Sequence, residues 1–278
     1  MEKISYLLTH FFTHKAYLIP PDQLPGTLFT PMAFGFYAFW LFAVIAIAYG
    51  VARHPRRMKA VLAANWAVMV VWEVVIVTWE SLSGPVKGLD LTTNLSLYPC
   101  SLYLYTTPFL LWGKGIWKKM ASGYLLTLGL LGAAVNFIYP VTRLTDYSCL
   151  SFAGFHTALF HGSILLAWLT VLLTGYCSYE ARSLRELFLP CVPSLLLSIP
   201  ANLVNYSGID SDYMFFRGKM GVVAYALPGF SEVQTTLTLY ALYILIPALF
   251  FLPSYLHHRR QLAAQEQERL VWGWSFRP

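Results

Sequence analysis

The sequence predicts an all-α polytopic membrane protein, a bundle of seven transmembrane helices. The first observation is its composition, because 57% of the 278 residues are hydrophobic and only 12% are charged. A soluble domain of this size usually has about 25% charged residues to cover its surface. The second observation is that apolar runs recur at lengths that cross a bilayer, and the third is that basic residues cluster between alternate runs.

Seven segments reach the length of about 17 to 25 residues that a helix needs to cross hydrocarbon. These segments are 34–52, 60–79, 94–112, 120–139, 155–176, 187–206 and 233–253. Only the first and the last are nearly uninterrupted apolar runs, so we expect the middle five to line an internal site. Residues 1–33 are predicted to form an interfacial helix and linker on the outer side, and residues 254–278 a cytoplasmic tail.

The distribution of basic residues predicts the orientation of these segments. If the segments alternate in direction, most of the 19 Lys and Arg residues fall on one side of the membrane. Cytoplasmic loops are the ones enriched in Lys and Arg, so we expect the N-terminus outside and the C-terminus in the cytoplasm. The net charge of +6 is explained by this topology, and we expect no nucleic acid as a partner. The compact loops are typical of a protein of the bacterial cytoplasmic membrane.

Several residues that are unusual inside a membrane fall at one predicted depth. Cys100 lies six residues, or about 9 Å, from the outer end of segment 94–112. Glu73 and His161 lie at the same level of their own segments, and Asn202 and Asn205 lie there on the sixth segment. Different helices thus contribute a thiol, a carboxyl group, an imidazole and amides to one layer, which predicts a site near the outer leaflet.

This set of groups suits thiol chemistry. A thiol surrounded by apolar groups keeps its proton and is inert unless a base removes it. We expect Cys100 to be the nucleophile and His161 the base, with Thr157 one turn before it on the same face. Glu73 would fix the tautomer of the imidazole ring. The product of attack on an ester would be a thioester, and the accessible ester at this depth belongs to a membrane lipid.

Other polar residues are predicted to bind the reacting lipid. Amide groups of Asn202 or Asn205 could stabilise the oxyanion or hold the head group. Arg217 and Lys219, in the loop that follows, could bind a phosphate or could simply be solvated loop cations. No cofactor or metal is expected in this mechanism.

Each of these residues also has a structural explanation. Cys100 could be a small packing residue or could pair with Cys149, which the topology places on the same side. His161 could be a satisfied residue of the bundle, and the Asn and Ser residues could be hydrogen-bonded between helices. Gly129 and Gly132 suggest a face suited to close helix packing. The agreement in depth favours a site over these separate explanations.

Two rival functions use the same layer. A transporter or receptor would bind a small ligand there without chemistry. A zinc-dependent intramembrane hydrolase would need about three ligands and a water, and the segments offer only His156, His161 and Glu73. His156 and His161 are five residues apart, about 140° around a helix, so we do not expect them to share a face.

The sequence resembles the YwaF/transmembrane protein 164 family of polytopic membrane proteins. The resemblance is carried by Trp72-Glu73-Val74, by Leu97-Tyr98-Pro99-Cys100, by His161, and by Asn205-Tyr206 with Asp212-Tyr213-Met214. Vertebrate members are described as acyltransferases that move fatty acyl chains between phospholipids. The resemblance implies Cys100 as acyl acceptor and His161 as base. We also expect Tyr98, Thr157, Tyr206 and Tyr213 to contact the substrate. The expected partner is a phospholipid or other acyl lipid, and no protein partner is identified.

Overall fold

A computed structural model describes residues 2–85, 87–139, 144–219 and 221–275, and these residues form helices and loops without a β-strand. Arg143, one of the basic residues between the predicted segments, lies outside the described residues, as do residues 276–278 of the predicted tail. The α-helices, numbered in chain order, are α1 Glu2–Thr9, α2 Pro31–Ala52, α3 Met58–Ser83, α4 Leu102–Trp112, α5 Gly115–Tyr124, α6 Leu130–Ile138, α7 Phe152–Leu173, α8 Leu184–Phe188, α9 Val192–Asn205, α10 Gly221–Ala226 and α11 Glu232–Ser275.

The prediction of an all-α membrane protein is confirmed, but seven spanning helices are not found among the described residues. Six stretches of helix are long and apolar enough to cross a bilayer. They are Pro31–Ala52, Pro55–Ser83, Gly115–Ile138, Phe152–Leu173, Leu184–Asn205 and Glu232–Gln267. The third predicted segment contains only α4, whose 11 residues rise about 16 Å, about half of the hydrocarbon thickness.

The first half of that third segment, residues 94–101, is irregular. Pro99 explains the break, because the residue before a proline is pushed away from helical geometry. Irregular backbone at membrane depth is tolerated only where protein surrounds it. This stretch meets that condition: Asn94 is buried, the Leu95 N–H donates to the Tyr213 hydroxyl (3.0 Å), and the Tyr124 hydroxyl donates to the Pro99 carbonyl (2.9 Å).

The two ends of the third segment contact opposite ends of the bundle. Leu95 is bound to Tyr213, which belongs to the loop after α9. At the other end, the Leu110 carbonyl accepts a hydrogen bond from Tyr176, just beyond the end of α7. We call the end formed by residues 10–30, 84–85, 87–101, 207–219 and 221–231 the loop end. The orientation of the loop end in a membrane stays a prediction.

Helix α7 is the central element of the bundle. In its most apolar stretch 67% of the residues are buried inside the protein, against 22% in α2 and 17% in the α3 region. Helices α2, α3 and α6 all pack on it. The loop end is covered by the N-terminal segment, because the Phe152 N–H donates to the Phe11 carbonyl and the Trp79 indole N–H to the Phe12 carbonyl. Residues at the start of α7 are therefore surrounded by other elements.

The last helix extends beyond the predicted span. Helix α11 continues from Glu232 to Ser275 through Pro247 and Pro253, so no helix end occurs at the predicted boundary between membrane domain and tail. At the other end of the chain, α1 is the short helix expected in residues 1–33.

Helices α5 and α6 are joined by a π-helical turn, Leu125–Gly129. The glycines near this turn are not arranged as predicted. A Cβ added at Gly132 would meet nothing within 4 Å, so Gly132 is not a close-packing position. The tight contact lies at Gly123, where an added Cβ would be 2.5 Å from the Cγ of Pro190. The small residue that the packing requires is therefore on α5.

We expect Gly123→Ala to destabilise the protein and Gly132→Ala to leave its stability unchanged. The new methyl group at position 123 would overlap the Pro190 ring, and such overpacking costs about 1 to 3 kcal/mol. Thermal unfolding of both variants in the same detergent measures the difference. Equal melting temperatures would contradict the packing described here.

Candidate functional site

A cavity of about 1380 Å³ opens at the loop end and extends into the bundle. Its walls come from α3, the irregular stretch before α4, α6, the first half of α7, α10 and α11. Glu73, Cys100 and His161 all line it, as do Tyr98 and Thr157. The structure thus brings the thiol, the carboxyl group and the imidazole of the sequence prediction to one space.

Cys100 lies in the turn that leads into α4. The backbone of this turn is held on both sides, because the Ser101 N–H donates to the Tyr98 carbonyl and the Tyr124 hydroxyl lies 2.9 Å from the Pro99 carbonyl. Ser101, the residue before the first turn of α4, makes no side-chain cap. The Cys100 thiol therefore lies beside the N-terminus of α4.

The alternative pairing of Cys100 with Cys149 is contradicted. All four cysteines of the chain are free. Cys149 is buried in a separate apolar cluster with Ala33 and Tyr37, where its sulfur faces Gly26. The Cys100 sulfur therefore remains available to the cavity.

The orientation of His161 is fixed within its own helix. Its Nδ1 lies 2.9 Å from the carbonyl oxygen of Thr157, one turn earlier. A carbonyl oxygen can only accept a hydrogen bond, so Nδ1 carries the proton and Nε2 of the neutral ring carries the lone pair. The sequence prediction gave this orienting role to Glu73, and the structure gives it to the Thr157 backbone.

Glu73 is instead part of a chain of hydrogen bonds. Its Oε2 lies 3.1 Å from Nε2 of His156, and its Oε1 accepts from the Ser96 hydroxyl at 2.7 Å. The Ser96 carbonyl accepts in turn from the Tyr105 hydroxyl of α4. These contacts tie the irregular third segment to α3 and α7 beside Cys100.

His156 lines the cavity, and the sequence analysis named it only as a ligand of the rival zinc site. Ser96, which donates to Glu73, was missed. His156 and His161 were not expected to share a helix face, but the cavity is wide enough for both rings to line it. The available signal was Glu73, because a carboxylate inside a membrane usually has a partner. A histidine in the first turns of α7 is at the right depth to be that partner.

The structure does not bring the predicted amides to the cavity. Asn205 is buried and holds the loop after α9: its Nδ2 donates to the Tyr213 carbonyl, and its Oδ1 accepts from the Ser211 hydroxyl and the Tyr213 N–H. Asn202 donates to the Tyr240 hydroxyl at 2.7 Å. Neither side chain is among those that line the cavity.

The aromatic candidates are divided between the cavity and the surrounding structure. Tyr98 lines the cavity and packs against Tyr213 and Phe215. Tyr213 is fully buried, and its hydroxyl donates to the Leu91 carbonyl and accepts from the Leu95 N–H, so it anchors the irregular segment. Tyr206 is exposed, and its hydroxyl lies 3.3 Å from that of Thr236.

The loop cations are engaged with acidic side chains. The Arg217 guanidinium lies 3.1 Å from Glu232 and 3.4 Å from Asp210, and it does not line the cavity. Lys219 does line the cavity, and its hydrogen bond to Asp210 holds the pKa of that carboxyl group below its usual range. A phosphate would have to compete with these carboxylates for the two cations.

Within residues 2–85, 87–139, 144–219 and 221–275, no three His, Cys, Asp or Glu side chains are grouped so that they could hold a metal ion.

A model of the TMEM164 family matches residues 23–257 of the chain. The chain belongs to the TMEM164 family. The match confirms the resemblance stated from the sequence and covers about 85% of the chain (235 of 278 residues). Comparison with curated proteins and with solved structures found no match.

The part of the chain that matches the TMEM164 family contains the candidate catalytic residues. It begins before α2 and ends within α11, so it includes Glu73, Cys100 and His161. It leaves out α1 and the last part of α11. In this TMEM164 family member one cavity thus combines a free thiol, a histidine whose Nε2 carries the lone pair, and a separate carboxylate–histidine pair formed by Glu73 and His156.

Proposed function

We propose that the protein transfers or hydrolyses lipid acyl chains through a thioester on Cys100, with His161 as the base. The observation that carries this proposal is that Cys100 and His161 line one cavity while the Nδ1–H of His161 is bound to Thr157. The unprotonated Nε2 is then the ring atom that can accept a proton. The sequence also resembles a family whose vertebrate members are described as acyltransferases, and this resemblance supports the same assignment.

In the first step, Nε2 of His161 takes the proton from the thiol as the Cys100 sulfur attacks the ester carbonyl. The carbon–oxygen bond of the ester breaks, and the departing alkoxide takes the proton back from His161. The products are a thioester on Cys100 and a lysolipid alcohol. In the second step His161 takes a proton from an acceptor hydroxyl, the acceptor oxygen attacks the thioester, and the thiolate leaves and recovers that proton.

The oxyanion formed in each step needs hydrogen-bond donors. Asn202 and Asn205 were the candidates from the sequence, but their amides are bound to Tyr240 and to the Tyr213 loop. We propose instead that the first turn of α4, which begins two residues after Cys100, provides this stabilisation. The Tyr103 and Leu104 N–H groups of this turn donate to the Cys100 and Ser101 carbonyls. The stabilisation would therefore come from the helix dipole, which favours negative charge at a helix N-terminus.

The hydrogen-bond chain through Ser96, Glu73 and His156 has a supporting role in this proposal. It joins α3 and α7 to the segment that carries Cys100. The predicted orientation of the chain would open the cavity toward the outer leaflet, so the lipid substrate would come from that side.

Mass spectrometry of the peptides from the purified protein tests the proposal. Purified protein in lipid nanodiscs is mixed with a phospholipid of defined chain length, quenched at short times and digested. We expect the mass of one acyl chain on the peptide that contains Cys100, and its loss after treatment with hydroxylamine, which cleaves thioesters. Cys100→Ala should show no adduct, and Cys191→Ala, which removes a buried cysteine outside the cavity, should show the same adduct as wild type.

The same experiment separates the rival functions. Acyl transfer that continues in Cys100→Ala would overturn the thioester mechanism. A phospholipid or small molecule that binds in the cavity without any adduct would support a transporter or receptor. Addition of a lysophospholipid distinguishes transfer from hydrolysis, because transfer yields a new phospholipid and hydrolysis yields a free fatty acid.

A further inference from the structure

We propose that the acyl chain of the substrate enters the cavity sideways from the bilayer, through a gap between α6 and α11. This inference rests on the proposed function, because it names the path by which a lipid chain reaches Cys100. The gap is defined by Leu131, Gly132 and Val135 on α6 and by Leu239, Leu242 and Ile246 on α11, all of which line the cavity. We call this opening the lateral gap.

The lateral gap follows from how the two helices pack. Helix α11 packs against the π-helical turn Leu125–Gly129, but among the described residues no comparable packing joins it to α6, which continues from that turn. Helix α6 packs instead on α7. A π-helical turn changes the register of the helix that contains it, which allows α6 to follow α7 rather than α11. The two helices therefore separate beyond the turn.

The sides of the lateral gap are apolar and partly exposed. Val135 is 40% exposed and Leu242 is 38% exposed. Gly132 has open space beside it, since an added Cβ would meet no atom within 4 Å. Deeper in the same cavity, Leu128 and Leu239 are buried. An apolar surface thus runs from the membrane-facing side of the bundle into the cavity that contains Cys100 and His161.

A lipid acyl chain is the occupant that fits this path. Both helices belong to stretches that are long and apolar enough to cross a membrane, so the gap opens into hydrocarbon rather than water. The cavity volume of about 1380 Å³ exceeds the roughly 300 to 1,000 Å³ typical of pockets for compact small molecules. The other rim of the cavity, at the loop end, carries charged residues such as Lys87 and Asp90. A polar head group can stay at that rim while the chain lies in the gap.

Gly132→Trp tests the lateral gap, because the indole would fill the open space between the helices. Two acyl donors are compared: a long-chain phospholipid in vesicles, which must use the gap, and p-nitrophenyl acetate, which is small and can enter from the polar rim. We expect the rate of Cys100 acylation by the phospholipid to fall at least tenfold more than the rate with p-nitrophenyl acetate.

Gly35→Trp is the matched control. Gly35 lies on α2, also has no atom within 4 Å of an added Cβ, and does not line the cavity, so this variant should acylate with both donors as wild type does. Leu242→Trp narrows the gap from α11 and is expected to behave like Gly132→Trp. An equal loss with both donors, or no loss with either, in a folded gap variant would overturn the proposal.

A binding measurement keeps the proposal testable if both gap variants fail to fold. A phospholipid with a diazirine in its acyl chain is photolysed with wild-type protein, and the labelled peptides are mapped. We expect labels on α6 and α11 within the lateral gap, and labels restricted to other surfaces would overturn the path. If wild-type Cys100 is acylated by neither donor, the proposed function fails, whereas an acylated Cys100 with an unlabelled gap rejects only the lateral path.

Discussion

Replacing His161 with Asn is expected to slow acylation of Cys100 by about 10²- to 10⁴-fold while the protein stays folded. The Asn amide nitrogen occupies nearly the position of Nδ1 and can still donate to the Thr157 carbonyl. What the variant loses is Nε2, the atom that would take the thiol proton. The rate is measured by quenched mass spectrometry of the Cys100 adduct, and thermal unfolding checks the fold.

The comparison with Glu73→Gln decides which group orients the base. If the Thr157 carbonyl alone sets the tautomer of His161, Glu73→Gln should slow acylation much less than His161→Asn. The Gln side chain keeps one acceptor oxygen, which can still accept from the Ser96 hydroxyl. A slowing as large as that of His161→Asn would return the orienting role to Glu73, as the sequence predicted. An unaffected rate in folded His161→Asn would reject His161 as the base.

Helical rise alone was enough to predict that Glu73, Cys100 and His161 belong together. Counting about 1.5 Å per residue from the ends of the apolar segments placed Glu73, Cys100 and His161 at one level, and they line one cavity. This count does not need the contacts between helices. The count places Cys100 beside the other two residues even though the third segment is broken, because Cys100 lies where the irregular stretch leads into α4.

Hydrogen-bond partners could not be predicted in the same way. Asn205 was at the right depth, but its partners lie in the loop after α9, whose path across the bundle has no periodic signal. For Glu73 the choice between His156 and His161 depends on the rotation of α7 about its axis, which the apolar pattern did not fix. The length of segment 94–112 predicted a full helix because hydropathy does not register the effect of Pro99 on backbone geometry.

Asn205→Ala is expected to lower the free energy of unfolding by about 3 kcal/mol. We expect little direct effect on the acylation rate of the folded protein. The substitution leaves the Tyr213 N–H, the Tyr213 carbonyl and the Ser211 hydroxyl without their partner in a buried loop. Each unsatisfied buried group costs about 1 to 3 kcal/mol, and the costs are not fully additive. Thermal and denaturant unfolding in detergent would detect a loss of this size.

The same variant distinguishes an anchoring asparagine from an oxyanion donor. A donor that contacts the oxyanion would reduce the acylation rate by about 10²- to 10³-fold without changing the melting temperature. An anchor should lower the melting temperature, and below it the acylation rate of the folded fraction should stay close to wild type. Asn202→Ala is the matched control on α9, because it removes one hydrogen bond, to Tyr240, and should cost less stability. The loop that Asn205 holds also carries Tyr213, which binds Leu91 and Leu95, so we expect the irregular segment to unfold together with this loop at the lowered melting temperature.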